Sequence, residues 1–282
     1  MSTQEESLSS RDFGRLASFV YAEAGISLGP EKQTMLEGRL RRRLRELKID
    51  SYRHYCDYLF GPEGLKEEKV RFLDVVTTNK TDFFREPGHF TFLVERALPE
   101  LLARAEGRPL LLWSAGCSSG EEPYTLAMVL SEYAESHPGF RFRILATDLS
   151  TRVLAKAEVG IYSSEAAESV PPVLRRKYLM RSRDRDSGQV RMVPELRRVV
   201  EFRRLNFMDA DYGLGDKADA IFCRNVIIYF DRGTQAKILG RLVSWLVPYG
   251  YLFVGHSETL HDMNLPVEAL GPALYQRSHG RG

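Results

Sequence analysis

The stretch LLLWSAGCSSGEEPY, residues 110–124, decides the fold. LLLWSA (110–115) is an apolar run of strand length, the pattern of a strand buried on both faces. Ala115-Gly116-Cys117-Ser118-Ser119-Gly120 follows as a glycine-bearing turn, and a helical stretch runs from Tyr124 to Tyr133. Strand, glycine turn and helix make the first unit of a nucleotide-type cofactor site, because glycine lets the backbone come close to the ligand. The turn lacks the full GxGxxG pattern, and two acids, Glu121 and Glu122, follow it at once. A pyrophosphate at that helix N-terminus would meet two negative charges, whereas a cationic ligand is favoured. S-adenosylmethionine carries a sulfonium and an ammonium and no phosphate, so it fits better than NAD. The same acids also suit a plain helix N-terminus, so the reading leans on their surroundings.

Outward from this unit, FRILATD (142–148), ADAIFCRN (218–225) and YLFVGHS (251–257) are further apolar runs, with helical stretches at Thr151–Ala157 and Gly233–Leu246. The alternation predicts an α/β domain with a mainly parallel, doubly wound sheet. Asp148 ends the second run, where an acid can accept two hydrogen bonds from a ribose diol. Residues 177–202 break the alternation. Two strand-like pieces flank a polar turn at Ser187-Gly188, which predicts a small, strongly basic antiparallel insertion on the main sheet. Before Arg108 the chain reads as helix. Phe13, Leu16 and Val20, then Leu36, Leu40, Leu44 and Leu47, recur at helical spacing. Tyr52–Phe60 and Lys66–Val76 add two more helices, and no strand is expected there. The expected division is a helical domain over 1–85, a linker and first helix over 86–107, and a catalytic domain over 108–282.

The 282 residues allow one large domain or two smaller ones. A net charge of +2 gives no bulk sign of nucleic-acid binding. No apolar run approaches the roughly 18 residues of a membrane span. The polar, acidic start MSTQEESLSSRDF lacks the regions of a signal peptide, so a cytoplasmic protein without membrane insertion is expected. Cys56, Cys117 and Cys223 are far apart and form no CxxC pair, which argues against a disulfide framework or a metal site.

The segments TTNKTDFFREPGHF (77–90), WSAGCSSGEEPYTLAM (113–128), ATDLS (146–150), FCRNVIIYFD (222–231) and GHSETL (255–260) together resemble the chemotaxis receptor methyltransferases, the CheR family. The likeness covers nearly the whole chain. It implies an all-helical N-terminal domain before a Rossmann-like class I methyltransferase domain with a small antiparallel subdomain. It implies methyl transfer from S-adenosylmethionine to γ-carboxylates of receptor glutamates for sensory adaptation, with S-adenosylhomocysteine as the second product. By position, the resemblance assigns Asn79, Thr81 and Arg85 to the cofactor and active site, approached from the N-terminal side. It assigns Glu122 to the cofactor's amino group, Asp148 to the ribose, and Asn206 and Phe207 to the adenine. Arg224 and Asn225 fall at the end of the next strand, and Tyr229 near the transferred methyl. Gly116 belongs to the cofactor turn, and Arg85 and Tyr229 are the expected catalytic residues. On their own, Arg85 would read as an ion-pair partner of Asp82, Asn79 and Thr81 as a helix cap, Tyr229 as a buried aromatic and His256 as structural.

Such a reaction needs no general base, since a glutamate with a pKa near 4.3 is ionised at neutral pH; it needs no metal either. Arg39, Arg41, Arg42, Arg43 and Arg45 surround the leucine stripe and are expected on the solvent side. A solvated face, nucleic-acid contact and steering toward acidic receptor helices compete as explanations. The resemblance favours steering, with Arg39, Arg42 and Arg43 as docking residues. Some family members bind a receptor C-terminal peptide as an added strand at the small subdomain. Here the loop 181–186 lacks the extra glycines of peptide users, which leans against it. The resemblance also implies a monomer. Two other readings stay open: a non-catalytic S-adenosylmethionine-binding docking module, and a methyltransferase acting on another acidic or nucleic-acid substrate.

Overall fold

The computed structural model describes residues 7–278. Five helices come first: α1 (Ser10–Ala24), α2 (Gln33–Leu47), α3 (Tyr52–Leu59), α4 (Pro62–Glu67) and α5 (Lys69–Val76). Ser9 caps α1, its hydroxyl accepting the Asp12 N–H at 3.1 Å. The stripe Leu36, Leu40 and Leu44 packs in one buried cluster with Phe13, Leu16, Val20, Tyr55 and Phe72. Burial of such side chains, about 1.5–3 kcal/mol each, holds these short helices together.

The α6 helix (Gly88–Phe92) and α7 (Leu98–Arg104), joined through a π turn, lead into the sheet. Its strands are β1 (Leu110–Ala115), β2 (Phe142–Asp148), β6 (Val200–Arg204), β7 (Ala218–Cys223), β8 (Leu246–Val254), β9 (Val267–Gly271) and β10 (Leu274–Arg277). Their order is β6-β2-β1-β7-β8-β10-β9. The first five run parallel, and β10 pairs antiparallel with both neighbours. Leu112 of β1 stands between Ile144 of β2 and Ala220 of β7. Leu112, Phe222 and Phe253 join the core on one face, and their chain neighbours Trp113, Ile221 and Leu252 join the core on the other. That alternation follows from the two-residue period of a strand. The helices α8 (Glu121–Ser136), α9 (Thr151–Val159) and α12 (Arg232–Ser244) follow β1, β2 and β7. The strand order reverses between β1 and β7, and such a switch point opens a crevice at the carboxyl ends of the strands.

The insertion differs from the sequence expectation. Two strands, β4 (Leu179–Arg181) and β5 (Gln189–Met192), do pair across the Ser187-Gly188 turn. A third, β3 (Ile161–Ser163), pairs with β5 from before the 177–202 window. Val200–Phe202, at the end of the expected insertion, belongs instead to β6, the edge strand of the main sheet, parallel to β2. A three-residue strand carries no readable period, and an edge strand lacks the continuous apolar run of inner strands. Two short helices, α10 (Pro172–Tyr178) and α11 (Pro194–Arg198), complete this region.

The helical part is tied to the sheet at several points. The Asp74 carboxylate accepts the Thr151 N–H at 2.8 Å and the Thr151 hydroxyl at 2.7 Å. Asn206 donates to Glu23 O, Tyr21 to Asp231, and Ser27 N–H to Tyr229 O. Ile26 and Phe230 form an antiparallel bridge. The α1–α2 connection is thereby a wall of the crevice. Among the described residues, no helix is long and apolar enough to cross a membrane.

Candidate active site

A cavity of about 640 Å³ lies at the switch point. Its walls hold Asn79, Thr81, Arg85, Gly116, Glu122, Asp148, Asn206, Phe207, Arg224, Asn225 and Tyr229, so every expected cofactor or catalytic residue is brought together. The volume falls in the usual range for cofactor sites. Residues from the α1–α2 connection also line it, including Ser27, Lys32 and Met35. Nothing in the sequence signals these, because only the fold brings them across from another domain.

Gly116 is required by its backbone: φ is 87°, and a Cβ there would stand 2.5 Å from Val226 Cγ2. Asp148 receives the Ser118 N–H on Oδ2 at 2.8 Å and the Ser150 N–H on Oδ1 at 2.9 Å. Burial pushes its carboxyl up, and these donors oppose that. Each oxygen keeps a lone pair for a diol. The Ser118 hydroxyl donates to Asn79 O at 2.9 Å, so the cofactor turn holds the 77–85 segment directly. Asn79 and Thr81 lie in irregular chain between α5 and α6, not at a helix start, so the cap reading fails. Asn206 spends its side chain on Glu23 O and the Met208 N–H, and Phe207 packs near the rings of Tyr212 and Phe230.

The two acids part company. Glu121 is buried, takes the Ser119 hydroxyl at 2.7 Å and does not line the cavity. Burial pushes its carboxyl up. Glu122 faces the cavity, but its Oε2 accepts Arg224 Nε at 2.6 Å and its Oε1 the Ser114 hydroxyl at 2.6 Å. The argument from two bare negative charges is therefore corrected: one acid points elsewhere and the other is half of a buried ion pair. What remains for a cationic cofactor is a set of acceptors. Glu122 and Asp148 keep lone pairs for the donors of S-adenosylmethionine. Asn225 also lines the cavity, and its Oδ1 is buried with no hydrogen-bond partner among the described residues.

Arg224 is buried and packs over the Phe90 and Phe222 rings. It also donates to Arg85 O at 2.6 Å and lies 3.6 Å from Glu86. Glu86, His89 and His256 bring three metal-type ligand atoms within 4.8 Å of one another. The Arg224 guanidinium, 3.4 Å from His89 Nδ1, already supplies positive charge there, which disfavours a metal ion. Burial, reinforced by Arg224, pushes the His89 imidazole down to about 4.

Among the described residues the Arg85 guanidinium makes one hydrogen bond, to Lys80 O at 3.5 Å, and no carboxylate pairs with it. The Asp82 pairing does not form. Tyr229 is half-buried; burial pushes its hydroxyl up, against the pull of Arg85 and Arg39.

The arginine helix also departs from expectation. Arg42 is 82% exposed and pairs with Glu46. Arg43 turns inward, its fork meeting Glu68 at 2.7 and 2.6 Å. Arg39 donates to the carbonyls of Val76 and Thr77 and to the Thr78 hydroxyl at the end of α5. The helical period places a residue on a face, but it does not reveal a second helix packed against that face's edge.

A switch-point cavity with ribose-type and amine-type acceptors defines a methyltransferase that uses S-adenosylmethionine. Residues 79–272 match the model for "CheR methyltransferase, SAM binding domain", and residues 11–77 match "CheR methyltransferase, all-alpha domain". The chain is 39% identical over 272 residues to chemotaxis protein methyltransferase 2 of Pseudomonas aeruginosa, covering 96% of this chain and 95% of the relative. It is 39% identical over 276 residues to the chemotaxis protein methyltransferase of Escherichia coli, covering 98% and 94%. The chain belongs to the CheR methyltransferase family.

Proposed function

We propose that the protein methylates glutamate side chains in the cytoplasmic helices of chemoreceptors, with Arg85 and Tyr229 as its catalytic residues. The observation that carries this reading is the division of charge in the cavity. Acceptors lie in the more buried part, at Glu122, Asp148 and Asn225, while among the other charged groups of the lining that are not buried Lys32, Lys80 and Arg85 outnumber Glu31 and Asp231. A cationic cofactor suits the interior and an anionic substrate the entrance.

When bound, S-adenosylmethionine supplies an electrophilic methyl group on sulfur. Glu122 and Asn225 would hold its amino groups, Asp148 its ribose, and Asn206 and Phe207 its base. Arg85 receives the substrate carboxylate through two N–H donors. The carboxylate arrives ionised, so no residue has to remove a proton. Tyr229 orients the carboxylate or the cofactor from the facing wall through its hydroxyl. The 77–85 segment and the Ser27–Tyr229 contact narrow the approach. Holding reactants in line in this way supplies about 7–11 kcal/mol in favourable cases. Arg42 and Arg45 supply charge that steers acidic receptor helices, and the protein works as a monomer in the cytoplasm.

The test is methyl transfer from labelled cofactor to receptor cytoplasmic fragments. Base-labile ester should form, and Arg85→Ala should lower kcat roughly 100-fold while cofactor affinity falls less. No ester with several receptors would end the substrate assignment, and an unchanged rate for the variant would remove Arg85 from the mechanism.

A further inference from the structure

The GHSETL segment (255–260) resembles the family, yet nothing in the cavity so far explains it. We propose that Glu258 is a positioning residue: it fixes the turn after β7 so that Asn225 keeps its side-chain amide in the wall of the cofactor cavity. The proposal rests on Asn225 being a cofactor contact.

Glu258 is 5% exposed, and among the described residues no cation pairs with it. Its partners are four backbone N–H groups. Oε1 accepts Val226 N–H at 2.9 Å and Ile227 N–H at 3.0 Å; Oε2 accepts Asn225 N–H at 2.9 Å and Gly255 N–H at 2.6 Å. The reason lies in the path of the chain. Strand β7 ends at Cys223, and Asn225 then adopts a left-handed backbone with φ 58°. Three consecutive N–H groups turn inward where no strand faces them, and buried donors need acceptors. One ionised carboxylate offers about four lone-pair sites, and each bond to it is stronger than a neutral one. Glu258 thereby holds Asn225 in a conformation that an asparagine adopts only occasionally.

Gly255 completes the seat. A Cβ there would stand 2.5 Å from Asn225 Nδ2 and 2.9 Å from Asn225 N, so the Asn225 amide fills the space a side chain would take. Asn225 is thus pressed against Gly255 through its side-chain amide and tied to Glu258 through its backbone N–H, and its Oδ1 is buried with no hydrogen-bond partner among the described residues. Tyr229 follows in the same turn, Ile227–Tyr229.

The experiment measures S-adenosylhomocysteine affinity of the full chain by calorimetry, beside the thermal midpoint without ligand. In Glu258→Gln one amide N–H₂ faces backbone donors, and the dissociation constant should rise about tenfold. Gly255→Ala keeps the carboxylate but crowds Asn225, and should weaken binding similarly. Ser257→Ala, exposed in the same turn, serves as the reference. A lowered midpoint with wild-type affinity in both variants would overturn the proposal, since it would show support of the fold alone. If Glu258→Gln does not fold, wild-type affinity in Gly255→Ala overturns it. Asn225→Ala separates the two levels. Unchanged affinity there would defeat the cofactor assignment and the proposal together. Weakened affinity there beside normal affinity in both turn variants would defeat the proposal alone.

Discussion

Replacing Arg43 by alanine should cost the protein stability, not merely receptor docking. The Arg43 side chain is 11% exposed and that of Glu68 1%, and the two meet through a double hydrogen bond at 2.7 and 2.6 Å. Without the guanidinium, Glu68 keeps only the Tyr55 hydroxyl at 3.0 Å. Truncating one partner of a buried pair costs about 3–5 kcal/mol, because the remaining charge stays buried and unpaired. Arg43 also reaches the half-exposed Glu46, so water can enter nearby and the lower end, about 3 kcal/mol, applies. That is a large part of a total stability of about 5–15 kcal/mol. Urea unfolding should show the loss as a lower midpoint at unchanged slope. Arg43→Met with Glu68→Leu should recover most of it, since neither charge is left behind. Arg42→Ala should change stability by under about 0.5 kcal/mol and instead raise the receptor KM at low salt. An Arg43→Ala protein with the wild-type midpoint and a raised receptor KM would refute this and return Arg43 to the docking surface.

Two further outcomes follow from the site. His89 sits at about 4 when folded against 6.5 for an ordinary imidazole. Between those values the unfolded chain binds a proton that the folded chain refuses, so the contribution is complete above pH 6.5 and lost as pH falls toward 4. It amounts to roughly 3 kcal/mol. His89→Gln should flatten stability against pH across that window, and an unchanged slope would count against it. Gly116→Ala places a Cβ at φ 87° against Val226. It should lower stability by about 1–3 kcal/mol and weaken S-adenosylhomocysteine binding; normal values for both would remove the close-approach argument.

The inner strands were legible because burial on both faces leaves an unbroken apolar run, as in residues 110–115. Short or one-sided strands leave none, which is why Ile161–Ser163 and Val200–Arg204 were missed. Resemblance located the cavity residues well, but their partners were hidden. Glu122 meets Arg224 across 102 residues, and Arg43 meets Glu68 at the junction of α4 and α5, whose packing no period reports. The sequence argument for a cationic cofactor shows the limit most clearly. It counted Glu121 and Glu122 along the chain, and of these two only Glu122 lines the cavity, where Arg224 pairs with it.

That pairing changes how selectivity must work. With Glu122 paired to Arg224, less bare charge is left to attract the cofactor, so preference for an ammonium-bearing, phosphate-free ligand also depends on acceptors fixed in place. A phosphate brings only further acceptors, whereas in the assignment proposed above an amino group brings donors to Glu122 and the ribose brings donors to Asp148. Fixed acceptors discriminate only if their backbone cannot relax. If Asn225 contacts the cofactor as proposed, the turn at Asn225 and the buried carboxylate beneath it serve recognition as well as the scaffold.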